Sequence, residues 1–261
     1  MDRQQISAAN LLFVTTANLG IKFPKAVQTA HENLTKVRDS VAGIGAHDTN
    51  ATARAVADAL ILGADPMTDP GVARAIQHTA VTMPGVIDHV ENAAGTILME
   101  AVRDNMDDMV YALREPFDKA AETLVTAHGQ IGNLDLKADS EAILRRGGDI
   151  AEVWAQAVKA TETIETVLTA WSMIVQLTTT SQGDNRWLAL RITMPTAERF
   201  DELDMSRTRL TPWDAVCNGL PLTLPTLSEH TKRRAAIVEE RAAIQAAKAA
   251  QRTRPNYLRM R

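Results

Sequence analysis

Apolar side chains recur at alternating steps of three and four in three separate stretches of the chain. The first comprises Val27, Ala30, Leu34, Val37, Val41 and Ile44. The second runs Met106, Val110, Leu113, Phe117, Ala120, Leu124, Ala127, Ile131, and the third Ile150, Trp154, Ala157, Thr161, Ile164, Leu168, Trp171, Val175. A mean step of 3.5 residues keeps one seam of a helix turned toward a partner helix along its length. The pattern therefore predicts an all-α fold, an antiparallel bundle of long helices joined by short reversals.

Punctuation residues divide the rest. A first helix is expected over residues 2–19, with Gly20 as its stop. Pro24 stands where a first-turn proline is tolerated, ahead of the first seam. Asp48 or Thr49 can cap a shorter helix over 51–62 that ends at Gly63. Thr68-Asp69-Pro70 repeats the cap-then-proline signature before Val72–Thr82. Pro84 opens the longest segment, to about His128, and Pro116 inside it should kink the helix near Leu113. Gly147-Gly148 breaks any helix begun at Asp139, and Asp149-x-x-Glu152 reads as a capping box for one reaching Thr178.

The texture changes after Ser181. Trp187–Ile192 alternates well enough for a short strand, and Pro195–Leu203 suits one or two helical turns. Gly219–Pro225 is extended, because residues before proline avoid the α region. This reads as an irregular, proline-bearing segment wrapped over the bundle. Thr226-x-x-Glu229 then caps a last helix running to about Arg252. The expected organisation is N-terminal helices over 1–82 and a long helical hairpin over 84–180 in the same bundle. A wrapping segment follows at 183–227, then a basic helix and tail at 228–261.

Composition sharpens this. Aromatics are 4% of a chain that is 45% hydrophobic, which favours thin, alanine-rich helices over an aromatic sheet core. The net charge of −4 hides an asymmetry, since from Glu229 onward there are nine Lys or Arg against three Glu. Cys217 is the only cysteine, so an internal disulfide is excluded and a reducing compartment expected. The first residues carry no basic and apolar leader pattern. No apolar stretch approaches the roughly 20 residues that span a bilayer. A soluble chain with no membrane partner is expected.

Most catalytic chemistries lack their residues. No histidine follows a glutamate at the Glu-x-x-His spacing of di-iron bundles, and His-Glu-x-x-His and calcium-loop patterns are missing. Gly43-Ile44-Gly45 begins like a dinucleotide fingerprint, but Asp48 stands at the third glycine and a helical run precedes it. Ser181 lacks the first glycine of a nucleophile elbow. Cys217 has no neighbouring base and reads as a small hydrophobe. No cofactor or metal is expected. The one carboxylate group of interest is Glu100, Asp104 and Asp107, which steps of four and three place on one helix face. There they could share a proton or cation in an enzyme, or simply face water.

The basic end is the segment whose charge asks for a partner. Lys232, Arg233, Arg234, Arg252, Arg254, Arg259 and Arg261 are the candidate partner-binding residues, toward an acidic protein surface or nucleic-acid phosphate. Tyr257 is the only aromatic near these arginines, too little for a base-stacking platform.

The alanine- and threonine-rich run Ala51-Thr52-Ala53-Arg54-Ala55-Val56-Ala57-Asp58-Ala59-Leu60 resembles capsid- or tail-associated structural proteins of tailed phages that infect high-GC hosts. Phage scaffolding proteins are similar in joining an acidic helical body to a basic, coat-binding helix, but the tryptophan- and proline-bearing segment at 183–227 departs from them. The resemblance implies a non-enzymatic structural or assembly protein, cytoplasmic during assembly and then carried in a virion. It would contact other copies of itself or other structural proteins. The alternatives are a nucleic-acid-associated protein using the basic tail, and an enzyme using the three carboxylates.

Overall fold

The computed structural model describes residues 3–43, 48, 50–136, 141, 145, 147–178, 185–205 and 210–253. Expectations for Ile44, Gly45, Thr49, Asp139, Ser181, Pro255 and Tyr257 lie outside these residues. Among the described residues every regular element is helical, and no helix is long and apolar enough to cross a membrane. In chain order the helices are α1 (Arg3–Ala17), α2 (Lys25–Gly43), α3 (Ala51–Ile61), α4 (Pro70–Val81), α5 (Pro84–Asp104), α6 (Met106–Ala112), α7 (Arg114–Ile131) and α8 (Gly148–Thr178). A 3-10 helix (Asn185–Arg191), α9 (Ala197–Met205), α10 (Pro212–Cys217) and α11 (Leu227–Thr253) follow.

The chain divides into two compact units. One comprises Met1–Ser7 with Pro24–Asp104, the other Ala8–Phe23 with Asn105–Arg261. The division falls inside the segment that the sequence reads as one long helix. Asn105, at φ −117° and ψ 20°, interrupts it between α5 and α6. A second break at Leu113 separates α6 from α7. This one is where Pro116 requires it: a proline in the first turn of α7 lacks the N–H that would bond one turn back.

In the first unit α2 packs along α5, and α3 pairs with α4. The seam of α2 buries Val27, Ala30 and Leu34. Asp69 caps α4, its Oδ1 accepting from Gly71 N at 2.7 Å and Val72 N at 3.0 Å with Pro70 in the first turn. Of the two residues expected to cap α3, Thr49 lies outside the described residues and Asp48 does not serve. Asn50 holds the cap position, and Asp48 instead accepts from the Asn50 N–H at 2.9 Å. Gly63 ends the α3 turn at φ 71°, a conformation that glycine adopts without steric penalty.

The second unit is built on α7 and α8. Val110, Leu113, Phe117, Ala120, Leu124, Ala127 and Ile131 of the second seam are all buried. On α8 the seam is buried at Ala157, Ile164, Leu168 and Trp171 and half-buried at Ile150, Trp154, Thr161 and Val175, while Ala160, Val167, Ala170, Ile174 and Leu177 are buried beside it. The reason is that α6, α7 and α10 all pack on it. Because α8 starts at Gly148, Asp149 lies inside its first turn and is not the cap that the sequence suggests.

The described residues of 185–205 and 210–217 are more regular than a wrapping coil. Trp187–Arg191 is 3-10 helix, not strand. A strand needs a partner to close its backbone bonds, whereas the 3-10 turn closes them locally and stacks residues three apart. Trp187 and Leu190 thereby join Ala197, Phe200 and Ile237 in one apolar cluster. Trp187 stacks on Phe200 with ring centroids 5.2 Å apart.

Candidate functional site

The basic helix α11 enters through a reciprocal capping box. Thr226 N donates to Glu229 Oε2 at 2.8 Å, and Glu229 N donates to Thr226 Oγ1 at 3.2 Å. Two more of its free N–H groups meet a residue far away in sequence. Leu227 N donates to Asp107 Oδ1 at 3.0 Å and Ser228 N at 3.3 Å, and the Ser228 hydroxyl donates to Asp107 Oδ2. A carboxylate there answers both the unpaired donors and the positive end of the helix dipole. Beside it Arg114 pairs with Glu229, and its Nε–H donates to Leu224 O at 3.1 Å.

Arg233, one turn further on, is a strut. Its Nη1 donates to the carbonyls of Leu190 at 3.1 Å, Thr223 at 3.2 Å and Thr193 at 3.5 Å, and its Nη2 to Thr223 Oγ1 at 2.9 Å. Burial lowers its affinity for the proton, Glu229 raises it and Arg114 lowers it again. Arg234 lies over the Trp187 ring at 5.0 Å. Arg241 lies over Phe200 at 5.1 Å and pairs with Asp201. Glu240 Oε2 accepts from Ala197 N at 3.0 Å, at the start of α9. Much of the charge that looks unanswered in the sequence is thus answered by the segment 187–224.

Of the seven candidate partner-binding residues, Lys232, Arg233 and Arg234 fall together on the first turns of α11. Arg252 is in its last turn, and Arg254, Arg259 and Arg261 lie outside the described residues. Lys232 is exposed. With Arg114, Asp118, Glu229 and Arg233 it lines an open cleft of about 590 Å³.

The candidate catalytic carboxylates are not gathered. Placing them on one face assumes a continuous helix, and the helix is interrupted at Asn105. Glu100 and Asp104 are exposed on α5, while Asp107 is taken up as the cap of α11. Among the described residues no group of three or more His, Cys, Asp or Glu could hold a metal ion. Burial and the neighbouring Asp214 push the Cys217 thiol up, away from the thiolate.

One feature of the first unit escapes a reading based on core seams. Met83, Val86, Val90, Ala93 and Ile97 also step by three and four, and all five are exposed. From just ahead of α5 they form a stripe about 21 Å long at 1.5 Å per residue. Val86 and Val90 border a shallow apolar groove of about 330 Å³ with Val37, Val41 and Val81. At the α3–α4 corner Leu60, Ile61, Leu62 and Met67 are 61, 81, 82 and 90% exposed. Three consecutive apolar residues span too much of a helix's circumference to share one face, which is the signal in the sequence that marked this corner.

Compared with models of known families, with curated proteins and with solved structures, the chain matches none.

Proposed function

We propose that this is a non-enzymatic structural or assembly protein that works through protein–protein contacts, of the kind from which tailed-phage particles are built. The observation that carries the reading is the exposed stripe on α5. Seams with this spacing are what helices present to other helices, and contiguous exposed apolar surface marks contact sites in folded proteins. Two heptads are too short for a rod, so the contact is a local one, and the simplest occupant is the same stripe on a second copy. The exposed Leu60–Met67 corner supports the same reading.

The nucleic-acid alternative has less behind it, because Arg234 and Arg241 already have internal partners. The enzymatic alternative loses Asp107 to the capping of α11.

Light scattering over a range of concentrations tests the proposal. The full chain should associate, and Val90→Asp with Ile97→Asp should leave it monomeric with an unchanged circular dichroism spectrum. A chain that stays monomeric at every concentration overturns the reading. Association lost at low salt in favour of DNA or RNA binding would favour the nucleic-acid alternative.

A further inference from the structure

The cleft on the second unit is lined by three cations and two carboxylates. Arg114 is neutralised by Glu229, and Asp118 and Lys232 are both exposed. That leaves Arg233, whose hydrogen bonds all go to uncharged oxygens, three backbone carbonyls and the Thr223 hydroxyl, while Glu229 acts on its charge without a hydrogen bond. These bonds occupy its Nη1 and one proton of its Nη2. No described acceptor receives its Nε–H or the remaining Nη2–H. A guanidinium with N–H donors to spare can still receive a carboxylate by charge-assisted hydrogen bonds.

The guanidinium is also pre-positioned. Four hydrogen bonds fix the guanidinium before any ligand arrives, so little rotamer freedom is lost on binding. Burial already disfavours the isolated charge of Arg233, and an anion placed against it would offset that cost. Met194, Leu224 and Ala236 supply apolar lining beside the charged groups, which suits the methylene stem of an acidic side chain. The cleft volume of about 590 Å³ falls within the range of small-ligand sites, roughly 300–1,000 Å³.

We infer that this cleft binds a carboxylate, such as an acidic side chain or chain terminus of a peptide, on the remaining N–H donors of Arg233 with Lys232 as the second cation. Net charge decides between oxyanions. Three cations against two carboxylates leave a single positive charge, which matches a monoanion. A phosphate group carrying about −1.5 to −2 near neutral pH would be repelled by Asp118 and Glu229. The site lies in the second unit, and its occupancy does not depend on whether the α5 stripe of the first unit is covered.

The test is a titration of the full chain with sodium acetate, followed by the Arg233 Nε–H signal in ¹⁵N-resolved spectra, with sodium chloride as the ionic-strength control. Acetate should move that signal saturably and chloride should not. Lys232→Glu should weaken acetate binding by about fivefold or more, the scale of one exposed charge contact, and Asp118→Asn should tighten it. Both positions are exposed, so the fold stays intact and Arg233 keeps its struts. An unmoved signal, equal shifts with chloride, or identical affinities in the wild type and both variants would overturn the inference. Inorganic phosphate binding as tightly as acetate would overturn the choice of a carboxylate.

Discussion

His230 lies with its ring centroid 5.1 Å from that of Trp171, and its Nε2 is 3.5 Å from the Trp187 carbonyl. Burial lowers its pKa from the ordinary 6.5; the Trp187 carbonyl opposes the shift, and Arg191, Arg233 and Arg234 add to it. A histidine held neutral in the folded state binds its proton more readily when unfolded. Its contribution to stability is therefore present above pH 6.5 and is lost as pH falls from there toward the lower folded value. Denaturant midpoints measured between pH 7.5 and 5 should fall with acidification, and His230→Gln should flatten that slope. His31, lowered by burial and by Arg38 and opposed by Glu32, should leave a residual slope in that variant.

Three of the four tryptophans show the same local logic, Trp187 being the exception with a buried N–H that meets no acceptor. Trp154 donates to Leu136 O at 2.9 Å, Trp213 to Leu134 O at 2.8 Å and Trp171 to Pro225 O at 2.9 Å. Each ring fills an apolar site while its N–H pins a connecting segment, which is how a buried indole meets its hydrogen-bonding requirement. Nothing in the sequence says which carbonyl receives each N–H, since the partners lie 18 to 79 residues away.

At the scale of elements, what could be read from the chain was what depends on near neighbours. The 4-3 seam of α7, half of the seam of α8, the stop at Gly63, the Asp69-Pro70 start of α4 and the Thr226–Glu229 box are set within a turn or two, and the structure contains them. The break at Leu113 follows from Pro116 by the same local rule. Three things needed long-range information. The interruption at Asn105 has no proline or glycine to announce it. The 3-10 helix at Trp187 exists because Phe200 and Ile237 offer its aromatic and aliphatic residues a cluster. Asp107, read as one of three carboxylates on a helix face, belongs to the capping of a helix 120 residues later.

That last contact makes a prediction about α11 as an element. Asp107→Ala leaves the N–H groups of Leu227 and Ser228 without their acceptor, so the chain should lose about 1–2 kcal/mol of stability, as for other lost helix caps. Chemical denaturation measures the loss. Amide hydrogen exchange should show it concentrated in the first turn of α11 and the Arg114–Glu229 pair. A change below about 0.3 kcal/mol, within the ordinary range of neutral surface substitutions, would mean that Thr226 and Glu229 suffice as the cap.

Over the whole molecule the exposed stripe and the cleft divide the work between the two units. The first unit presents apolar side chains on α5 and at the α3–α4 corner, where an isolated chain would leave them in water. The second turns its basic helix inward, onto Trp187, Phe200 and the Leu190 and Thr223 carbonyls, and places Arg233 in the lining of a cleft. Both arrangements suit the contact role proposed above. The alanine-rich helices fit as well, since small side chains let helices pack closely at little cost in side-chain entropy.

The central claim is that the α5 stripe meets its counterpart on a second copy, and a cysteine placed in the stripe tests it most directly. With Cys217→Ser removing the single native thiol, Ile97→Cys should form an intermolecular disulfide under mild oxidation. Lys119→Cys, exposed on α7 of the other unit, should not. A covalent dimer specific to position 97 is the predicted result. Equal crosslinking at both positions, or none at 97 while the thiol remains reactive to a small alkylating reagent, would contradict it.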